Sequence, residues 1–296
     1  MFLHVPLPAV VLMLVASGAG MASRGGQNAP LGPADGSSTA PARAAAVAQP
    51  EAPESKQGGD LPGWKQVFEE EFSAGDVRLG GFPGDPYKDR WSAGYRDGTP
   101  DTAGQKKSGE KSAYYPSKVL SVHDGVLDWY LRSDNGVSMG AAPQPKIPNA
   151  SARPPRHNSL LYGRYSVRFK ADPLAGFKIA WLLWPDSGVW PRDGEIDFPE
   201  GELDLTIYGA AHAGTDSAEI FDSKMPFGSW HVATTEWSPE RIEFFLDGVS
   251  LGASTTDVPS KPMHLILQTE SCLMGCPAPG TEGHVYLDWI RIWTRA

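Results

Sequence analysis

Cysteine is nearly absent: the 296 residues contain two, Cys272 and Cys276. A disulfide framework therefore cannot organise the fold, and two thiols alone make a poor metal site. In an oxidising compartment the pair could close one small local bridge, whose short loop limits its stabilising effect. Two unpaired thiols are the alternative, given the geometric demands of a bridge. Excess positive charge is also missing. Lys and Arg number 26 against 35 Asp and Glu, a net charge of −9. Nucleic acid and anionic membranes select clustered basic residues, so neither is expected as the main partner. No apolar run is long enough to span a bilayer. The one candidate, Val5 to Val15, is short and contains two prolines.

That run reads instead as the core of a signal peptide over residues 1–23, with Ala19-Gly20-Met21-Ala22 as a small-residue cleavage site. Its leading residues, Met1-Phe2-Leu3-His4, depart from the pattern in having no Lys or Arg. No cysteine follows the run, so a lipoprotein anchor is not expected. Residues 24–60 are Ala, Pro, Gly and Ser with scattered charge. Such a segment buries too little surface to offset its ordering entropy, and is expected to be a disordered linker.

From Leu61 the character changes, and residues 61–296 are expected to form one domain. Long helical periodicity is absent here too. In its place, short runs rich in Val, Ile, Tyr, Phe and Trp alternate with turn residues, as in Val119-Leu120-Ser121-Val122, His123-Asp124-Gly125 and Val126 to Leu131. Arg164 to Phe169 alternates with period two, and Arg241 to Leu246 runs into Asp247-Gly248. Asp-Gly between such runs is a strong hairpin signal, and regularly spaced short strands indicate an all-β antiparallel sandwich or barrel. The ten Trp, nine Tyr and 33 Gly suit a turn-rich fold with aromatic surfaces.

The most informative segment is Asp193-Gly194-Glu195-Ile196-Asp197-Phe198-Pro199-Glu200-Gly201-Glu202-Leu203-Asp204. Acids have low strand propensity and repel one another side by side, so a strand that keeps this many is either solvated or functional. Alternation places Glu195 and Asp197 on one face and Ile196 and Phe198 on the other. It would also turn Glu200 away. Pro199 is tolerated at a bulge, and one extra residue there returns Glu200 to the face of Glu195 and Asp197. Four strand steps separate the two glutamate Cα atoms by roughly 13 Å; inward-leaning side chains then bring the carboxyls to about 5 Å, the spacing of a retaining glycosidase.

Glu195-Ile196-Asp197-Phe198-Pro199-Glu200 resembles the active-site signature of glycoside hydrolase family 16 in its bulged form. The resemblance extends to Trp64–Phe72, Tyr162–Arg168, Ala180–Pro185, Trp190-Pro191, His212–Thr215, Trp230–Trp237 and Asp288–Ile292, which together cover nearly all of residues 64–293. It implies a β-jelly-roll sandwich of two antiparallel sheets with an open cleft across the concave sheet. It also implies double displacement, with Glu195 as nucleophile, Glu200 as acid/base and Asp197 assisting. The bulged form is similar to that of laminarinase-type enzymes. The expected protein is thus a secreted, monomeric, endo-acting retaining hydrolase of a β-glucan-type polysaccharide, with β-1,3 or mixed β-1,3/1,4 linkages. No cofactor or catalytic metal is expected; some relatives carry a structural calcium, for which Glu71 and Asp288 stand in plausible positions.

Two departures leave the glycan open. Val119 stands where many relatives have a glycan-binding Asn, and Gln268-Thr269-Glu270 replaces a more usual Asn-containing strand. Trp190, Trp181, His212 and Trp237 are the expected substrate-binding residues. Trp181 and Trp184 have opposite parity, so at most one faces the cleft. Trp237 could equally be core, and His212 could be a satisfied buried histidine. A transglycosylase on the same site and a non-catalytic glycan-binding module are the competing functions, and retention of Glu195, Asp197 and Glu200 together argues against the second.

Overall fold

The computed structural model describes residues 58–106, 111–148, 159–212, 214–256 and 258–296. The signal peptide expected over 1–23, and all of the expected linker up to residue 57, lie outside these residues. What is described is an all-β jelly-roll sandwich. One sheet has six strands in the spatial order Ala218–Pro226, Thr206–His212, Glu195–Glu202, Phe177–Pro185, Met263–Ser271 and Ser159–Leu160, every neighbouring pair antiparallel. The facing sheet is larger and includes Trp64–Glu70, Val126–Asp134, Gly163–Ala171, His231–Ser238, Arg241–Leu246 and Glu282–Arg295. One short parallel pair, Ser112–Tyr114 beside Val137–Gly140, departs from the antiparallel rule.

The strand Phe177–Pro185 shows how the sequence builds the sandwich. Its odd-numbered residues Phe177, Ile179, Trp181 and Leu183 are all buried in the main core. Period-two alternation aims them at the other sheet. There Trp181 meets Trp129 and Phe169, at ring-centroid distances of 5.6 and 5.5 Å. Trp181 is therefore a central core residue and does not line the cleft. The even-numbered face carries Lys178, Ala180, Leu182 and Trp184, so Trp184 is the tryptophan on the cleft side.

Trp237 is likewise in the core. Its strand, His231–Ser238, belongs to the larger sheet, whose inner face looks into the sandwich and away from the cleft. The indole N–H donates to the Pro259 carbonyl at 3.0 Å, and the ring meets Tyr162 edge-on. That satisfies a buried donor without any ligand. Val119 is also fully buried in the core, so it adds nothing to the cleft wall.

The expected bulge is present. Against Phe177–Pro185 the pairs run Ala180↔Glu200 and then Leu182↔Asp197, three residues stepping against two. On the other side the pairs Glu200↔Tyr208 and Asp197↔Ala210 show the same count. Phe198 turns inward against Phe244 with ring centroids 5.3 Å apart, and the extra residue brings Glu200 back to the face of Glu195. Gly201, directly after the bulge, has φ +151°; a Cβ there would lie 2.6 Å from the Thr206 carbonyl oxygen and 3.0 Å from the Phe227 ring.

The strand therefore needs glycine at 201. Gly201→Ala should cost about 1–3 kcal/mol through overpacking. At a few degrees per kcal/mol for a domain of this size, the thermal midpoint should fall by roughly 3–10 °C. Circular dichroism melting of wild type and variant checks this, and an unchanged midpoint would mean the neighbouring backbone yields freely.

Candidate active site

Four adjacent strands of the six-stranded sheet supply one row of side chains each. Glu195 sits opposite His212, and Glu200 lies between Ala180 and Tyr208. Lys178 pairs in register with Glu202 on one side and Glu270 on the other, while Ala180 faces Gln268. The pocket so formed is lined by Lys178, Ala180, Leu182, Glu195, Asp197, Glu200, His212, Gln268 and Glu270, with Thr102 and Leu273 completing its wall. Small Ala180 leaves room for the carboxyls. Leu273 is held by the loop that the Cys272–Cys276 disulfide closes, the bridged alternative for the two cysteines.

Burial makes the chemistry of this pocket unusual. Glu195, Asp197 and Glu200 are 3%, 3% and 5% exposed. Carboxylates in such a place need partners. Glu200 has one: its Oε1 accepts from the Lys178 ammonium at 2.5 Å. Glu270 accepts from the hydroxyl and backbone N–H of Thr102 and from the Tyr114 hydroxyl, which also donates to Gln268. Glu195 Oε2 and Asp197 Oδ2 have no hydrogen-bond partner among the described residues. His212 Nε2 lies 3.9 Å from Asp197 Oδ2, too far for a hydrogen bond.

Ionisation follows from these surroundings. Burial first, and the neighbouring Glu200 charge second, push Glu195 up to about 8. Asp197 is pushed well above the usual carboxylate range by burial and then by Glu195 and Glu200. Burial is also the main reason that Glu202 and Glu270 rise to about 7. His212 is pushed down, chiefly by burial, which keeps it a neutral imidazole. Burial would lower Lys178, but the Glu200 charge and other anionic neighbours outweigh it and hold the ammonium form firmly. The pocket thus sets carboxyls with raised proton affinity, Glu195 and Asp197, beside one that contacts an ammonium group, Glu200.

Of the residues singled out in the sequence, Glu195, Asp197, Glu200 and His212 come together here. Trp190 stands at the rim, its ring edge-on to His212 at 5.9 Å. Trp181 and Trp237 do not join them. Lys178, Tyr208 and Glu270 complete the site and were not singled out as site residues. The signal for Lys178 was available: it is the one charged residue in Phe177–Pro185, an otherwise apolar strand. Glu195, Asp197 and His212 also form a group whose donor atoms all lie within 4.8 Å of one another. They could hold a divalent cation. Glu71 and Asp288 flank a cavity of about 230 Å³ with Ser73 and Asp124. Glu71 accepts from Arg291 and Asp288 from Arg168, each through one carboxyl oxygen.

Comparison with known proteins adds three findings. Residues 149–291 match the family described as glycosyl hydrolases family 16. A β-glucanase from Rhodothermus marinus is 31% identical over 104 residues, covering 30% of this chain and 36% of that protein. A glucan endo-1,3-β-glucosidase from Cryptopygus antarcticus is 26% identical over 110 residues, covering 33% of this chain and 41% of that protein. The aligned part thus spans less than half the length of these curated relatives. Among solved structures, a non-specific endo-β-1,3(4)-glucanase from family GH16 superposes with a TM-score of 0.62 at 20% identity, covering 83% of this chain and 96% of that one. A mutant of that glucanase (TM-score 0.63, 20% identity, 83% and 100% coverage) presents 1,3-β-D-cellobiosyl-glucose at its active site.

The raised carboxyls have a consequence for stability. A folded-state value above the unfolded one means the folded chain binds more protons, so stability is full below about pH 4.5 and is lost as pH rises through 7 to 8. The thermal midpoint should therefore fall between pH 5 and pH 8.5. His123 and His284, raised mainly by hydrogen bonds to Asp128, act in the same direction, so a variant is needed to isolate the carboxyls. Glu202→Gln, which removes a buried carboxyl, should recover about 1 kcal/mol at pH 8.5, roughly 2–4 °C, and nothing at pH 5. Equal midpoints for wild type and variant at pH 8.5 would contradict this.

Proposed function

We propose that this chain, whose residues 149–291 match glycosyl hydrolases family 16, is a secreted, endo-acting retaining glycoside hydrolase of β-1,3- or mixed β-1,3/1,4-glucan. The observation that carries the reading is the bulged strand that gathers Glu195, Asp197 and Glu200 on one buried face of the six-stranded sheet. Names of the relatives support the substrate class: they are a β-glucanase, a glucan endo-1,3-β-glucosidase and an endo-β-1,3(4)-glucanase. Secretion is supported by the apolar run at Val5–Val15 and by a disulfide, which suits an oxidising compartment.

In the proposed reaction Glu195 is the nucleophile and Glu200 the acid/base, as the sequence resemblance implies. The pair holds one proton, which Glu195 retains in the empty site and passes to Glu200 as the sugar binds; Glu200 then gives it to the glycosidic oxygen while the Glu195 carboxylate attacks the anomeric carbon. Water, deprotonated by Glu200, then releases the sugar from Glu195. Asp197, held between them on the same face, adjusts the charge and orientation of Glu195. Neutral His212 and the Trp190 rim are placed to contact the sugar. A carboxyl that must lose and regain a proton within one cycle benefits from a site that excludes bulk water, and these three carboxyls are nearly solvent-free.

Reducing-sugar release from laminarin, lichenan and agarose is the direct test. Wild type should cut laminarin or lichenan. Glu195→Gln should abolish turnover, and Glu200→Gln should lower it about 10²–10⁴-fold, the usual contribution of a general acid/base. A wild type that releases nothing from either β-glucan ends the glucanase reading. A Glu195→Gln variant as fast as wild type ends the nucleophile assignment. Lengthened oligomers in the product mass spectrum would indicate transfer to a second glycan in place of water.

A further inference from the structure

A lysine at the centre of a carboxylate sheet is the feature that this reading does not yet use. Lys178 is 3% exposed, and its ammonium contacts Glu200 at 2.5 Å; both side chains are almost wholly withdrawn from solvent. Among the described residues it is the only Lys or Arg lining the pocket. The titratable groups facing it come from three strands: Glu195, Asp197 and Glu202 from the active strand, Tyr208 and neutral His212 from the next, and Glu270 from the strand on its other side. Glu270 has its own donors in Thr102 and Tyr114. Glu195 keeps a carboxyl oxygen without a partner. The single cation is thus directed at one glutamate of the pair and not at the other.

We propose that Lys178 is a positioning residue for catalysis that receives the negative charge Glu200 acquires when it gives up its proton. The inference rests on the glycosidase reading and on Glu200 as its acid/base. In the first half-reaction the bond from C1 to the leaving oxygen breaks and the Glu195 carboxylate bonds to C1. The proton passes from Glu200 to the leaving oxygen, and the new carboxylate forms beside a preplaced ammonium in a dry site. A fixed opposite charge at that point stabilises the transition state without reorganisation. The same pairing makes Glu200 a weaker base when it activates water in the second half-reaction. Lys178 therefore favours cleavage of poor leaving groups, such as the next sugar of a polysaccharide, over release of the glycosyl enzyme.

The test compares Lys178→Met and Lys178→Arg with wild type on two substrates, read as kcat/KM. One is the β-glucan that wild type cuts. The other is an aryl β-glucoside oligomer whose dinitrophenolate leaving group needs no proton. Lys178→Met should lose about 10–100-fold on the polysaccharide, within the range general-acid assistance supplies. It should lose less than about 3-fold on the aryl substrate, and that rate also confirms that the variant folds. The alkaline limb of its pH profile should move up by about one unit or more, the usual effect of removing an opposite charge from beside a carboxyl. Lys178→Arg should keep the wild-type limb. Equal losses on both substrates with an unmoved limb would make Lys178 merely structural and overturn the proposal, as would no loss at all. A wild type that cuts no β-glucan overturns the underlying reading, and this inference falls with it.

Discussion

Everything about this site depends on the cost of taking carboxylates out of water. Four acids of one strand, Glu195, Asp197, Glu200 and Glu202, are each less than a tenth exposed, and Glu270 joins them from a strand beyond. Anions in such a place must be protonated, paired or richly hydrogen-bonded. The chain uses all three solutions, and uses a different one for each group. Glu200 is paired with Lys178, Glu270 takes hydrogen bonds from Thr102 and Tyr114, and Glu195 and Asp197 are pushed toward their neutral forms.

The opposite face of the same sheet makes that disposition possible. Trp181, wedged between Trp129 and Phe169, and Phe198 against Phe244 anchor the strands to the larger sheet. Interdigitated aromatics leave little freedom for a strand to slide, so the cleft side chains stay in register although they repel one another. Stability is concentrated on one side of the sheet and reactivity on the other, separated by the thickness of a single backbone.

How much of this was legible in the sequence depends on which physical signal each feature leaves. The all-β class followed from short aromatic and β-branched runs and hairpin turns. The bulge followed from parity, since Glu195 and Glu200 cannot share a face without an extra residue, and Pro199 marks where it sits. The roles of Trp181 and Trp237 did not follow. Parity divides a strand into two faces but carries no label for the one that looks inward, and a tryptophan suits either a core or a sugar platform. The contacts of Glu270 with Thr102 were hidden for another reason: the two residues are 168 positions apart in the chain, and only the folded topology brings them together. Lys178 was half visible. A lone charge in an apolar strand announces a special position, but its partner could be any of several acids until register is known.

The bulge also bears on how such a strand can change. Across the bulge, Asp197 and Glu200 each keep their own partners on both neighbouring strands. Removing one residue between them would straighten the strand, leaving two acids on the same face and every pairing beyond them intact. Elsewhere in the strand a single deletion would invert the faces of all residues that follow and drive acids into the core. Phe198–Pro199 is therefore the point at which evolution can alter the length of this segment, and with it the spacing of its two glutamates, without refolding the sheet around them.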